Sequence, residues 1–217
     1  MPIPPSIAAA FHAPDTVAFL LGLGVMGGLI VAIGAQNALV LRQGLARRHV
    51  GPVVAFCAAS DAALIMAGVF GVGATLAQSP AWMAVLRWAG AAFLLWCGWQ
   101  AARRALSPGH GGLHAGGAAG TLAATLGTTA ALTWLNPHVY LDTLVLLGAV
   151  AAQQPLGARW PFAAGAVAAS VVWFVSLGYG AAALAPRLAR PGTWRAVDAL
   201  VALVMWAVAA SLVAGGP

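Results

Sequence analysis

Six long apolar runs, each about the length of a bilayer crossing, constrain this chain more than any other feature. About 20 mainly apolar residues in a helix span the hydrocarbon core of a membrane, and residues 17–41, 50–77, 82–102, 121–151, 160–184 and 196–214 all read this way. Only 6% of the 217 residues are charged and 62% are apolar, too little polar surface to cover a soluble domain. The expected fold is all-α and integral to the membrane, with about six transmembrane helices in a single membrane domain over residues 17–214. Residues 1–16 form a segment without the basic n-region of a cleaved leader. The runs 50–77 and 121–151 are longer than a crossing needs, so they are expected to tilt or break.

Arginine placement sets the expected orientation. Arg42, Arg47 and Arg48 lie between the first two runs, Arg103 and Arg104 after the third, and Arg187, Arg190 and Arg195 between the last two. Only Arg87 and Arg159 fall on the other side. By the positive-inside rule the first group is cytoplasmic, the Gly-rich loop 103–120 with it, and both termini are extracytoplasmic. That scatter over short loops also excludes a nucleic-acid surface, despite the formal charge of +6. Loop 103–120 divides the chain into two three-helix halves. Gly71-Val72-Gly73-Ala74 is set against Gly178-Tyr179-Gly180-Ala181, Asn37 against Asn136, and Arg87 against Arg195. An odd number of helices per half makes such repeats inverted.

Ionisable groups in hydrocarbon are costly and need a reason. Asp61 lies near the middle of the second run and Asp142 in the outer half of the fourth, whereas Asp15 and Asp198 fall at interfaces, the latter near Arg195. Asp61, beside Ser60, reads either as a protonated acid bonded across helices or as a site for a cation. In the fourth run, Pro137 removes a helical hydrogen bond and clashes with the preceding turn, so the helix is expected to break near Asn136-Pro137. Asn136, His138, Tyr140, Asp142 and Thr143 crowd that break and make it a candidate binding region. Gln36 and Asn37 serve either as interhelical hydrogen-bonding groups or as ligand groups. Gly24 and Gly28 suggest a packing face. Neither phosphate loop, zinc motif nor nucleophile–base arrangement occurs, so neither an enzyme nor a cofactor is expected.

Several of these stretches resemble one family. Gly34-Ala35-Gln36-Asn37-Ala38-Leu39-Val40-Leu41-Arg42-Gln43-Gly44 is similar to a signature of the LysE-type lysine/arginine exporters. So are Ser60-Asp61-Ala62, Leu95-Trp96-Cys97-Gly98-Trp99-Gln100-Ala101 and Leu135-Asn136-Pro137-His138-Val139-Tyr140-Leu141-Asp142-Thr143. The homoserine/threonine branch of such exporters carries a Pro-Gly-Pro-Asn type motif where this chain has Gly-Ala-Gln-Asn. The resemblance implies export of basic L-amino acids across a bacterial inner membrane, driven by the electrochemical gradient, with Asp61 and Asp142 important for transport.

The residues suit that substrate. Two carboxylates match the two cationic groups of arginine or lysine, and Gln36, Asn37 and Asn136 match its carboxylate. Two further readings stay open. Asp61, Asp142, His138 and the loop residues His110 and His114 suggest metal-cation efflux, and Cys57 with Cys97 suggests a membrane thiol–disulfide electron carrier. The expected partners are a small-molecule substrate and membrane lipid. Proton coupling, a homo-oligomer and the choice between arginine and lysine stay undecided.

Overall fold

The computed structural model describes residues 13–31, 34–71, 80–106, 121–186 and 191–214, and every regular element among them is helical. In chain order these are α1 (Ala13–Ile30), α2 (Ala35–Ala46), α3 (Val50–Val69) and α4 (Pro80–Leu106). After them come α5 (Leu122–Trp134), α6 (Pro137–Ala152), α7 (Arg159–Leu184) and α8 (Pro191–Ala214). Helix α6 is π-helical from Leu141 to Leu146, and a 3-10 turn at Leu156–Ala158 leads into α7.

The ends of these helices follow from local chemistry. Arg47 and His49 both take left-handed backbone (φ 51° and 53°), which turns α2 into α3 within a few residues. Arg47 then donates from Nε to the Ala182 carbonyl at 2.8 Å, tying that turn to the end of α7. Gly71, at φ 86°, follows the end of α3, a conformation glycine adopts without steric cost. Thr121 caps α5 by accepting from the Ala124 amide at 3.2 Å.

Among the described residues, three helices are long and apolar enough to cross a bilayer, and up to five spans result if each of two bent pairs counts as one. The pairs are α1 with α2, whose axes differ by 82°, and α5 with α6, which differ by 58°. The 27 residues of α4 extend about 40 Å at the usual helical rise. The expected break in the fourth run is therefore present, but the first run, 17–41, is not one helix either. The second run ends at Val69, short of residue 77, and 72–79 lie outside the described residues, as does most of the Gly71–Ala74 half of the suggested repeat. Arg103 and Arg104 belong to the last turn of α4 rather than to a loop.

Small residues set the closest helix contacts, as expected where dispersion rather than water drives association. Gly22 of α1 lies against the Phe162 carbonyl of α7, and Gly165 of α7 against the Phe19 carbonyl of α1. A methyl at either glycine would run into backbone. Gly24 and Gly28 face open space, so the crossing uses a glycine that the spacing argument did not select. Gly44 meets Gly178 where α2 crosses α7, and Gly68 meets Thr143 and Gly148 where α3 crosses α6. Helices α4 and α8 lie along each other, with Gly98 beneath the Trp206 indole. Arg87 of α4 donates to the Leu212 and Val213 carbonyls, both at 2.7 Å, and so caps the end of α8.

The far end of the same bundle is held by charge. Asp198 of α8 is buried, and its Oδ1 accepts from Arg42 Nε of α2 and Arg104 Nε of α4, both at 3.1 Å. The sequence places Asp198 at an interface near Arg195, but its partners are Arg42 and Arg104. Arg195 is close in sequence but exposed, whereas Arg42 and Arg104 arrive on neighbouring helices.

Candidate functional site

The two helix breaks are built by different chemistry. Between α5 and α6, Leu135 ends one helix (φ −95°, ψ 4°) and Asn136 is extended (φ −95°, ψ 108°). A residue before proline is driven out of the helical region, and Pro137 suits the first position of the next helix, where no amide proton is needed. Asn136 caps that helix by accepting from the His138 amide at 3.1 Å. Tyr140 Oη donates to the Trp134 carbonyl at 2.9 Å, and Gly90 of α4 leaves room for the carbonyl of Leu135. The backbone oxygens released by the break are thereby accommodated inside protein. The π-helical segment that follows carries Asp142 and Thr143. Such segments are frequent at functional sites.

Between α1 and α2 no proline occurs. Gly34 is extended (φ −89°, ψ 177°), and α2 begins at the next residue. Asn37 Nδ2 reaches back to the Ile30 carbonyl at 2.9 Å, while its Oδ1 accepts from Trp173 Nε1 of α7 at 3.2 Å. Its amide therefore satisfies the end of α1 and fixes α2 to α7 together. Gln36 lies beside the Cys57 thiol, a weak acceptor at best, and its buried amide nitrogen makes no other hydrogen bond among the described residues. A buried donor left unpaired costs about 1–3 kcal/mol, which a ligand oxygen would recover.

Asp61 sits between the two breaks on α3, only 5% exposed. Its Oδ2 accepts from Ser170 Oγ of α7 at 2.8 Å. A cavity of about 320 Å³ opens beside it, on the order of the 300–1,000 Å³ usual for small-ligand sites. Gln36, Asn37, Asp61, Asn136, His138, Asp142 and Thr143 all line it, and Met26, Leu29, Ile30 and Phe174 supply an apolar wall. The residues singled out in two separate sequence stretches are therefore brought to one place. Ser60 and Tyr140 are not among the lining residues: Ser60 is buried on α3, and Tyr140 supports the break from behind.

His138 faces Ser211 of α8, with Nε2 and Oγ 3.1 Å apart. Ser211 spends its single proton on the Val208 carbonyl at 2.8 Å, so the imidazole Nε2 is the donor between them. Asp142, exposed, follows His138 by four residues on the same helix.

Ser170, Trp173 and Ser211 were not selected from sequence. Each is an isolated polar group in an apolar run, and its role comes from a partner far away in the chain. Among the described residues, no three His, Cys, Asp or Glu side chains gather closely enough to hold a metal ion. His110 and His114 lie outside the described residues. Cys57 packs with Val40, Val53 and Phe174, whereas Cys97 belongs to a separate core of α2, α4 and α8. The two thiols are free, and that separation gives no support to a thiol–disulfide carrier.

Comparison with known proteins selects among these readings. The chain is 45% identical over 200 residues to the arginine exporter protein ArgO of Yersinia enterocolitica, covering 91% of this chain and 97% of that protein. It is 47% identical over 189 residues to the putative amino-acid transporter Rv0488 of Mycobacterium tuberculosis, covering 87% and 93%. No solved structure matches it. The description of the LysE type translocators matches residues 28–216, which include both helix breaks and every residue of the cavity except Met26. The chain belongs to the LysE type translocator family.

Proposed function

We propose that this chain exports basic amino acids, arginine or lysine or both, across the bacterial inner membrane, driven by the electrochemical gradient. One observation carries the reading: two broken helices and a buried carboxylate meet around one cavity of amino-acid size. The named relatives point the same way, since those identified by function are arginine exporters.

In this reading Asp61 and Asp142 receive the cationic groups of the substrate. Gln36, Asn37 and Asn136 offer amides to its carboxylate, while His138 and Thr143 complete the polar lining. Ser60 and Tyr140 act as supports rather than contacts. The broken helices bring helix ends to membrane depth, a device of many secondary transporters.

The full topology we assign is six spans in two inverted repeats, with both termini outside and the arginine-rich turns inside. Each half then consists of a broken helix followed by two more. Support comes from matching contacts: α2 crosses α7 at Gly44 and Gly178, and α6 crosses α3 at Gly148 and Gly68. Asn37 secures the carbonyl end of α1, and Tyr140 does the same for α5. The corresponding helices α3 and α7 meet at Asp61 and Ser170, and α4 and α8 meet along their length.

Everted membrane vesicles test the function directly. Labelled arginine and lysine are expected to accumulate inside energised vesicles, and neutral amino acids are not. Equal uptake of leucine or threonine, or none of arginine and lysine, overturns the assignment.

A further inference from the structure

A second polar cavity lies one to two helical turns from the first and differs from it in charge. Its volume is about 190 Å³, and Arg42, Gln43, Gln100 and Arg104 line it. Along α2, the central cavity is lined at Gln36 and Asn37 and the second at Leu39, Arg42 and Gln43. Along α8 the order reverses, with Val208 at the central cavity and Met205 and Val201 at the second. Both helices therefore place the two spaces in series, about 7 Å apart at the usual helical rise.

The charge balance in the second cavity is unequal. Two guanidinium groups share one acid, and both use Nε on the same oxygen of Asp198. Their terminal nitrogens have no hydrogen-bond partner among the described residues. Gln43 and Gln100 add amides beside them. Guanidinium nitrogens presented to a small space match a carboxylate in geometry as well as charge. A cationic ligand without a carboxylate finds no such match there.

We infer that the Arg42–Arg104 cavity is a carboxylate-binding subsite on the cytoplasmic side, where the amino acid is first held by its α-carboxylate before entering the central cavity. This rests on the export reading above, since it takes loading to occur from the arginine-rich face. The subsite receives the carboxylate on entry; the central cavity then receives the amino groups at Asp61 and Asp142 and the carboxylate at its amides. Its consequence is specificity: the protein distinguishes amino acids from the amines they yield on decarboxylation.

The test compares arginine with agmatine, which is arginine without its carboxylate, in everted vesicles that expose the loading face. In the wild-type chain, agmatine is expected to be at least about tenfold weaker than arginine as a competitor of labelled arginine uptake. Arg104→Gln keeps the Arg42–Asp198 pair. It is expected to raise the arginine KM about tenfold while leaving agmatine inhibition unchanged, so that the discrimination collapses. A purely structural ion pair predicts instead that both ligands weaken together with their ratio intact, and that result overturns the subsite. So does equal competition by agmatine in the wild type.

If Arg104→Gln does not accumulate, Gln100→Leu, which leaves both ion pairs in place, carries the same test. Its expected change is about threefold in the ratio, from loss of one neutral hydrogen bond, and an unchanged ratio counts against the subsite. If wild-type vesicles take up neither basic amino acid, it is the export reading that fails. Binding of labelled arginine and agmatine to the purified wild-type and variant chains then decides the subsite by the same ratio.

Discussion

The break between α1 and α2 and the break between α5 and α6 solve one problem by two means. Both must leave a helix end inside a membrane domain without stranding its carbonyls. The second break is directed by Pro137, capped by Asn136 and relieved by Tyr140 and Gly90, with four chain positions sharing the task. Among the described residues, the first uses a glycine and the amide of Asn37, which serves α1 with its nitrogen and Trp173 with its oxygen. A break built on one side chain is more fragile than one built on several. The breaks also differ in charge: neither Gln36 nor Asn37 is ionisable, whereas the second break carries His138 and Asp142. A pair of related elements has thus divided the work, one side supplying neutral amides and the other an ionisable face.

The largest expected effect comes from removing that difference in charge. Asp142→Asn removes the acid from the second break and leaves His138 as its ionisable group, and Asp61→Asn removes the acid that both breaks face. Each variant is expected to insert, since an amide is less costly in lipid than a carboxylate, and to lose arginine and lysine export. Quantitative immunoblots alongside uptake in everted vesicles check both parts. Near-wild-type export from Asp61→Asn would remove it from the substrate site and leave a structural bond to Ser170 as its role.

Next in size is the amide that holds the first break. Asn37→Ala leaves the Ile30 carbonyl and the Trp173 N–H without these partners, at about 1–3 kcal/mol for each group that stays buried and dry. Tyr140→Phe removes one neutral hydrogen bond from the second break, about 1 kcal/mol. Thermal unfolding of the purified variants is expected to rank Asn37→Ala well below Tyr140→Phe. The opposite ranking would mean that the first break is secured elsewhere.

Glycine substitutions sharpen the same contrast. Gly90→Ala places a methyl against the Leu135 carbonyl and is expected to cost about 1–3 kcal/mol, the usual scale of overpacking. Gly34→Ala meets nothing within 4 Å and needs no unusual backbone, so it is expected to unfold at the wild-type temperature. The two glycines look equally dispensable in the sequence. Only the carbonyl delivered to Gly90 by a distant break separates them.

That example shows what was legible in the sequence and what was not. Apolar runs announce membrane helices because hydrocarbon admits few alternatives, and proline among polar residues announces a break because its chemistry is local. The residues around the central cavity were visible one by one, since each polar group in an apolar run needs a reason. The first break was missed because nothing in Gly34-Ala35-Gln36-Asn37 forbids a helix; the bend is secured by an amide that reaches back to Ile30. Sequence nearness sets Asp198 beside Arg195, yet α2 and α4 bring it Arg42 and Arg104. Ser170 is a lone hydroxyl in α7 until α3 places Asp61 against it. Patterns along one helix identify candidates, and pairing across helices decides what they do.

A substitution of small expected effect tests whether proline is needed at all. If Pro137 alone bends the second broken helix, Pro137→Ala should restore an α-helix through Asn136 and close the cavity, abolishing export. The first break argues against this, because it forms at 82° with no proline in residues 31–34. In the variant, Asn136 still caps His138, Tyr140 still holds the Trp134 carbonyl, and the Leu135 carbonyl still has its place at Gly90. What is lost is mainly the restriction proline imposes on the unfolded chain, about 0.4–1 kcal/mol. The variant is therefore expected to unfold slightly earlier and to export arginine at close to the wild-type rate. Normal accumulation with export abolished would show that the two breaks are held by different principles, one by side-chain contacts and the other by the ring itself. Retained export would place both under one rule: a membrane helix breaks where its neighbours receive the carbonyls, and proline only marks the spot.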